Sequence, residues 1–316
     1  SADNMTGTNW STVPVAILEM GFMSNESDDM YITDTSHHKT MAKGIADGID
    51  EYFNIVASDL AGSGEHLSDL TDTLEKTYVD PLKATNETWA IAAIDLSDHA
   101  YSTVNAEASL QSASVIKAFI MAAVFDKLVY TDGATEPSSD YESSLKSLLT
   151  QMITVSDNDA ANELARRLGG GDFHKGASVL NEFCQEHGYT STHLGREFLA
   201  SNPTDDNYTS ASDCCRLLSD IYSGTMVNAD ASADMLALLK AQTRTGKIPS
   251  GVPSGVETAN KTGELTGVEN DAGIIYSTAK GIDLVVCFMS QDLTDSGAAQ
   301  ASIAQDARLI YGYYNE

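Results

Sequence analysis

The chain has 316 residues, enough for a large core plus a smaller unit. Its 46 acidic residues against 18 basic ones leave a formal net charge of -28, a surface that repels phosphate backbones and argues against nucleic acid and anionic membranes as partners. Hydrophobic residues make up 42% and charged residues 20%, a globular balance, and no apolar run reaches the ~20 residues of a membrane span.

In chain order, "VPVAIL" (13–18) reads as a short buried strand that ends at Glu19, with Pro14 suited to its first positions. A loop follows, then "HHKTMAKGIADGIDEYF", whose Met41, Ile45, Ile49 and Phe53 share one helical face. The small, polar stretch 57–66 is a linker candidate and puts a domain boundary near residue 60, dividing the chain into 1–60 and 61–316. "LSDLTDTLEKTYVDPL" predicts an amphipathic helix that stops around Pro81. "TWAIAAIDL" (88–96) and "AYSTVN" (100–105) predict a β-hairpin. From 114 to about 245 the pattern is helical, broken by Gly- and Asp-rich loops. Two strands return at 271–278 and 281–290, and a final helix covers "AAQASIAQDARLIYGYY". Strands from both ends with helices between them predict an α/β fold, with one antiparallel sheet beside a helical subdomain. Cys184, Cys214, Cys215 and Cys287 form no C-x-x-C pair and read as buried thiols; a disulfide from Cys184 to Cys214 or Cys215 stays open.

Three short motifs carry chemistry. In "QSASVIKAFIM", Lys117 is the one charge in an apolar run, three residues after Ser114, so the two share a helix face. A serine hydroxyl needs a base to become a nucleophile, and a lysine serves if burial or a second cation lowers its pKa. "TVSDNDAANELARRLGG" holds Ser156-Asp157-Asn158 ahead of a helix, and "ETANKTGELTGVENDAGIIY" holds Lys261-Thr262-Gly263 ahead of a strand. Taken singly they also read as a snorkelling lysine, a helix cap and a strand edge.

In this order the motifs resemble the Ser-x-x-Lys, Ser-Asp-Asn and Lys-Thr-Gly set of class A β-lactamases and penicillin-binding proteins, over roughly residues 62 to 316. The resemblance implies a β-lactamase/transpeptidase-like sandwich in which Ser114 is acylated and Lys117 accepts its proton. Ser156 relays a proton to the leaving nitrogen. Asn158 holds the substrate amide, Lys261 supplies a second cation and Thr262 binds a carboxylate beside Gly263. The N–H groups of Ser114 and Glu264 form the oxyanion hole. The implied substrates are β-lactams or D-Ala-D-Ala-like cell-wall peptides, with no metal or cofactor.

The family's Arg-x-Glu-x-x-Leu-Asn loop is altered. Here Arg196 is followed directly by Glu197 and then Phe198, so the glutamate comes one place early, and Leu199 and Asn202 miss the pattern. Glu197 is the candidate deacylation base, but acylation is better supplied than acyl-enzyme hydrolysis. The rival expectations are a D,D-peptidase or muropeptide hydrolase with slow deacylation, and a non-catalytic peptidoglycan- or β-lactam-binding module.

Residues 1–55 resemble the C-terminal end of zinc-dependent N-acetylmuramoyl-L-alanine amidases, with Glu19 matching the catalytic glutamate. The family's zinc ligands lie upstream of the matching stretch, so the segment reads as a truncated strand-helix piece without amidase activity. His37 and His38 read as surface residues, not ligands. The pairing implies a secreted or envelope protein of a bacterium.

Overall fold

The computed structural model describes residues 64–79, 86–200, 205–277 and 280–315, with Asn25, Met30 and Thr33 ahead of them. The chain divides into two units, Ser1–Ala57 and Ser58–Glu316. The expected strand at 13–18, the helix after it, Glu19, His37 and His38 lie outside the described residues.

The second unit is built on a five-stranded sheet of β1 (Thr88–Asp95), β2 (Tyr101–Val104), β5 (Glu257–Leu265), β6 (Val268–Tyr276) and β7 (Leu284–Gln291). The strand order is β2-β1-β7-β6-β5, and every neighbouring pair is antiparallel. A short pair, β3 (Leu110–Gln111) with β4 (Tyr208–Thr209), stands apart. The hairpin and the joining of both chain ends follow the sequence pattern, but three strands return rather than two. The added strand is β5, which carries Lys-Thr-Gly and whose polar residues hid it. It turns into β6 through Thr266–Gly267, with Gly267 at φ 73°, a conformation glycine adopts without steric cost. The last strand begins at Leu284, not 281. The Asp283 carboxylate accepts from Ser277 N and Tyr222 Oη, both at 2.8 Å, and so belongs to the turn. The end of the linker candidate also has a role: Tyr101 N donates to Glu65 O at 2.8 Å and Leu67 N to Tyr101 O at 2.7 Å.

Both faces of the sheet are covered, which is why β1 and β7 read as continuous apolar runs. Ala90, Ala92 and Ile94 of β1 and Val285, Cys287 and Met289 of β7 face the larger core. There they meet helices α2 (Lys117–Val124), α3 (Lys146–Thr154), α4 (Asn158–Leu168), α5 (Phe173–Glu186), α6 (Ala211–Ser223) and α7 (Ala229–Lys240). The alternate residues, Trp89, Ile91 and Ala93 with Leu284, Val286 and Phe288, face a second core. It is closed by α1 (Ser68–Leu74), α8 (Ile248–Gly251) and α9 (Ser296–Asn315). The four cysteines are free and buried, as their packing role required.

One residue on the buried face of α9 departs from this apolar rule. Asp306 is fully buried, and neither carboxylate oxygen has a hydrogen-bond partner among the described residues. Burial pushes its pKa from 3.8 up to about 8. An acid whose folded pKa is raised stays protonated in the native state while the unfolded chain ionises. Asp306 therefore subtracts stability as pH rises from about 4 to about 8, and subtracts none of it below. Replacing Asp306 by Leu is expected to raise Tm by about 2–4 °C per kcal/mol recovered, with a larger gain at pH 7 than at pH 4. Thermal melts at the two pH values check this, and equal gains would contradict it.

Candidate active site

Ser114 lies in a tight turn, Ala113–Ile116, that runs directly into α2. Three backbone-level anchors hold the turn. Ser112 N donates to Asn207 O at 2.9 Å, and Asn270 Nδ2 of β6 donates to Gln111 O at 2.8 Å and Ser112 O at 3.2 Å. Ala113 sits at φ 46°, a left-handed conformation that costs a non-glycine residue free energy. Every residue of α2 is buried, including Lys117 at 0% exposure.

The Lys117 ammonium is met by the second motif. Its Nζ lies 2.7 Å from Ser156 O, 2.7 Å from Asn158 Oδ1 and 3.3 Å from Ser156 Oγ. Ser156 is at φ 63°, which turns its carbonyl and hydroxyl toward the lysine. Asp157 caps α4, its Oδ1 accepting from Ala160 N at 2.7 Å, so Asn158 projects from the first turn.

The third motif arrives on β5. Lys261 is 1% exposed; its Nζ donates to Ser156 Oγ at 3.0 Å and to Thr262 O at 2.8 Å. The two lysines thus converge on one hydroxyl. Burial lowers the Lys117 pKa to about 7, with the Arg244 charge adding to the effect and Asp157 opposing it. Burial, then the Lys117 and Arg244 charges, lowers Lys261 to about 7, against the buried Asp271.

A cleft of about 120 Å³ is lined by Ser114, Ser156, Asn158, Arg244, Thr262 and Glu264. Lys117 and Lys261 reach Ser156 from beneath it. Five of the nine residues singled out from the sequence therefore line this cleft (Ser114, Ser156, Asn158, Thr262 and Glu264), and two more, Lys117 and Lys261, bond to it through Ser156. Gly263 also has a steric reason to be there. A Cβ at that position would lie 2.8 Å from Ser112 O and 3.0 Å from both Ser114 N and Val115 N. Only a glycine lets β5 approach the serine turn this closely.

Glu197 is not brought into the cleft. Its Oε1 accepts from Arg166 Nη2 at 2.8 Å, and it lines a separate groove of about 790 Å³ with Asp157, Glu163 and Arg166. The residue that faces Lys117 from this loop is Phe198, whose ring centroid lies 4.6 Å from Nζ. Buried Asn162 fixes it there: Phe198 N donates to Asn162 Oδ1 at 2.8 Å and Asn162 Nδ2 to Phe198 O at 3.1 Å. Arg196 braces the loop through Asp206 Oδ1 at 2.7 Å. The sequence held a signal for Phe198, since it stands where the Arg-x-Glu pattern expects the glutamate. No signal marked Arg244, Asn162 or Asn270, which reach Glu264, Phe198 and the Ser112 turn across long stretches of chain.

The model of the beta-lactamase enzyme family matches residues 70–131 and 130–314. The chain belongs to this family. An N-acetylmuramoyl-L-alanine amidase model matches residues 1–51. Among solved structures, PBP-A shares 23% identity and a TM-score of 0.67, covering 80% of this chain and 98% of that one. A PBP-A mutant in acyl-enzyme complex with penicillin G is similar at 23% and 0.66, over 79% of this chain and 97% of that one. The beta-lactamase from Sphaerobacter thermophilus DSM 20745 has 23% and 0.62, with 78% and 97% covered. At these identities the likeness is one of fold. No curated protein matches the chain.

If Ser114 is the residue that a penicillin acylates, Gly263→Ala is expected to slow its covalent labelling by roughly 10- to 100-fold, because the serine turn must move while the rest of the fold stays. Labelling followed by intact mass, beside an unchanged far-UV circular dichroism spectrum, checks it. Labelling at the wild-type rate would show that the approach can relax.

Proposed function

We propose that residues 61–316 form a serine acyl-transfer enzyme acting on the amide bond of β-lactams or D-Ala-D-Ala-like peptides, with acylation at Ser114 and slow deacylation. The observation that carries this reading is the convergence of two buried, near-neutral lysines on Ser156 Oγ in the cleft that Ser114 lines. Two ammonium groups on one hydroxyl repel, so near pH 7 one lysine is free to act as a base.

In the acylation step Ser114 Oγ bonds to the amide carbonyl carbon while its proton passes to neutral Lys117 Nζ. The carbonyl oxygen takes the negative charge between the N–H groups of Ser114 and Glu264. The oxyanion then re-forms the carbonyl and the C–N bond breaks. The leaving nitrogen takes the Ser156 Oγ proton, which Lys261 replaces across 3.0 Å. Asn158 presents its amide to the substrate side chain, and Thr262 its hydroxyl to the carboxylate.

Hydrolysis of the ester then needs a base beside it. Glu197 is committed to Arg166 in another groove, and the loop offers Lys117 an aromatic ring instead of a carboxylate. This favours the penicillin-binding peptidase reading over fast β-lactam turnover. An intact nucleophile with two tuned lysines also argues against a silent binding module. The amidase likeness of residues 1–51 supports a setting at bacterial peptidoglycan, outside the cytoplasm.

A chromogenic cephalosporin assay paired with mass spectrometry tests the reading. The expected result is a stoichiometric, long-lived adduct on Ser114, absent from Ser114→Ala; rapid turnover without accumulation would overturn slow deacylation. The acylation rate is expected to rise with pH through about 7, since the free amine of Lys117 is the reactive form. Phe198→Glu should place a carboxylate against the acyl-enzyme and speed deacylation by roughly 10²-fold.

A further inference from the structure

We infer that Arg244 and Glu264 are a positioning pair, opposite charges at the mouth of the cleft that push the proton balance of the two lysines in opposite directions. The inference rests on the reading of Ser114 as a nucleophile served by Lys117. Both residues line the cleft, and Arg244 Nη1 donates to Glu264 Oε2 at 2.9 Å. Glu264 Oε1 also lies 3.3 Å from Lys247 Nζ.

An ion pair this exposed usually contributes little to stability. Yet a buried chain of hydrogen bonds is committed to holding Arg244 where it is. Gln242 Oε1 accepts from Arg244 N. Gln242 Nε2 donates to Arg244 O at 2.8 Å and to Asn260 Oδ1 at 2.9 Å. Asn260 Nδ2 donates to Asp271 Oδ1 at 2.8 Å, and Asp271 Oδ2 accepts from Ile248 N at 3.0 Å. Asn260 is the residue before Lys261, so the segment that carries Arg244 is pinned to the strand that carries the catalytic lysine. The arrangement fixes a charge over the reacting groups rather than strengthening the fold.

The charges facing the lysines come from every element around them. Asp157, at the start of α4, favours the ammonium of Lys117, and Asp271 of β6 favours that of Lys261. Lys117 and Lys247 disfavour the ammonium of Lys261. Arg244 acts against both lysines, and its exposed guanidinium is paired with the Glu264 carboxylate. Removing the guanidinium therefore makes each ammonium easier to keep, and the free amine appears at higher pH. Lys247 keeps its buried partner Glu269 at 2.6 Å, so removing the Glu264 charge leaves Arg244 uncompensated, and the free amine appears at lower pH.

The test is the pH dependence of Ser114 labelling by benzylpenicillin, read by intact mass on the full chain between about pH 5.5 and 9, a window around the Lys117 value. Arg244→Gln is expected to move the rising limb up by about half a pH unit, the size of a unit charge acting across a partly solvated cleft. Glu264→Gln moves it down by a similar amount, and the double variant returns close to wild type. Arg244→Lys keeps the charge and the wild-type limb, which separates this role from packing. A limb that stays in place, or that moves the same way in both single variants, overturns the inference alone. A wild-type chain that takes no label on Ser114 overturns it together with the proposed function.

Discussion

Two lysine side chains withdrawn from water, with their nitrogens on one serine hydroxyl, set the terms for the rest of this site. A buried ammonium is costly, and two on one acceptor are costlier. The fold meets that cost in a divided way. Lys117 has the Ser156 carbonyl and the Asn158 amide, while Lys261 has the Thr262 carbonyl. Among the described residues neither has a carboxylate in direct contact, which would restore full protonation. The acids that favour the ammonium forms, Asp157 and Asp271, are spent elsewhere, on a helix cap and on Asn260 with Ile248 N. The environment thus stabilises position strongly and charge weakly, the balance that the proposed proton acceptor requires near neutrality.

That balance draws on elements far apart in the chain. The Ser114 turn is held by Asn207 before α6 and by Asn270 in β6. Ser156 is presented in a left-handed conformation ahead of α4. Lys261 arrives on β5, which comes close enough only because residue 263 has no side chain. The strained backbone at Ala113 and Ser156 falls beside the cleft that Ser114 and Ser156 line, while the sheet and its two cores are regular. Local distortion is carried by a scaffold whose strands alternate faithfully between two apolar layers.

The scaffold was readable from sequence because burial on both faces leaves a simple mark. "TWAIAAID" and "LVVCFMS" are continuous apolar runs, and their place in one sheet follows from strands at both ends, while their pairing as neighbours appears only in the structure. β5 was harder, since its middle is Asn-Lys-Thr-Gly and its apolar content is low. A strand made of functional residues does not look like a strand. The grouping of Ser114, Lys117, Ser156 and Lys261 was legible from motif order and spacing: Ser114 and Ser156 line one cleft, and both lysines bond to the Ser156 hydroxyl. Glu197 was named from proximity to a pattern. Side-chain direction decides such cases, and here the backbone turns Phe198 inward and Glu197 toward Arg166. Arg244 left no trace in the sequence, because what marks it is a hydrogen-bond chain through Gln242 and Asn260 that forms only in three dimensions.

The division of the site between early and late strands has a consequence for how the molecule is made. The serine turn is synthesised long before β5, β6 and β7, and β1 pairs with β7, near the end of the chain. A nascent or truncated polypeptide therefore holds Ser114 but lacks Lys261, the Gly263 contact and the Asn270 anchor. If Ser114 acylates as proposed, its reactivity is a property of chains that have closed their sheet, and a covalent inhibitor would count those while passing over the ones still incomplete.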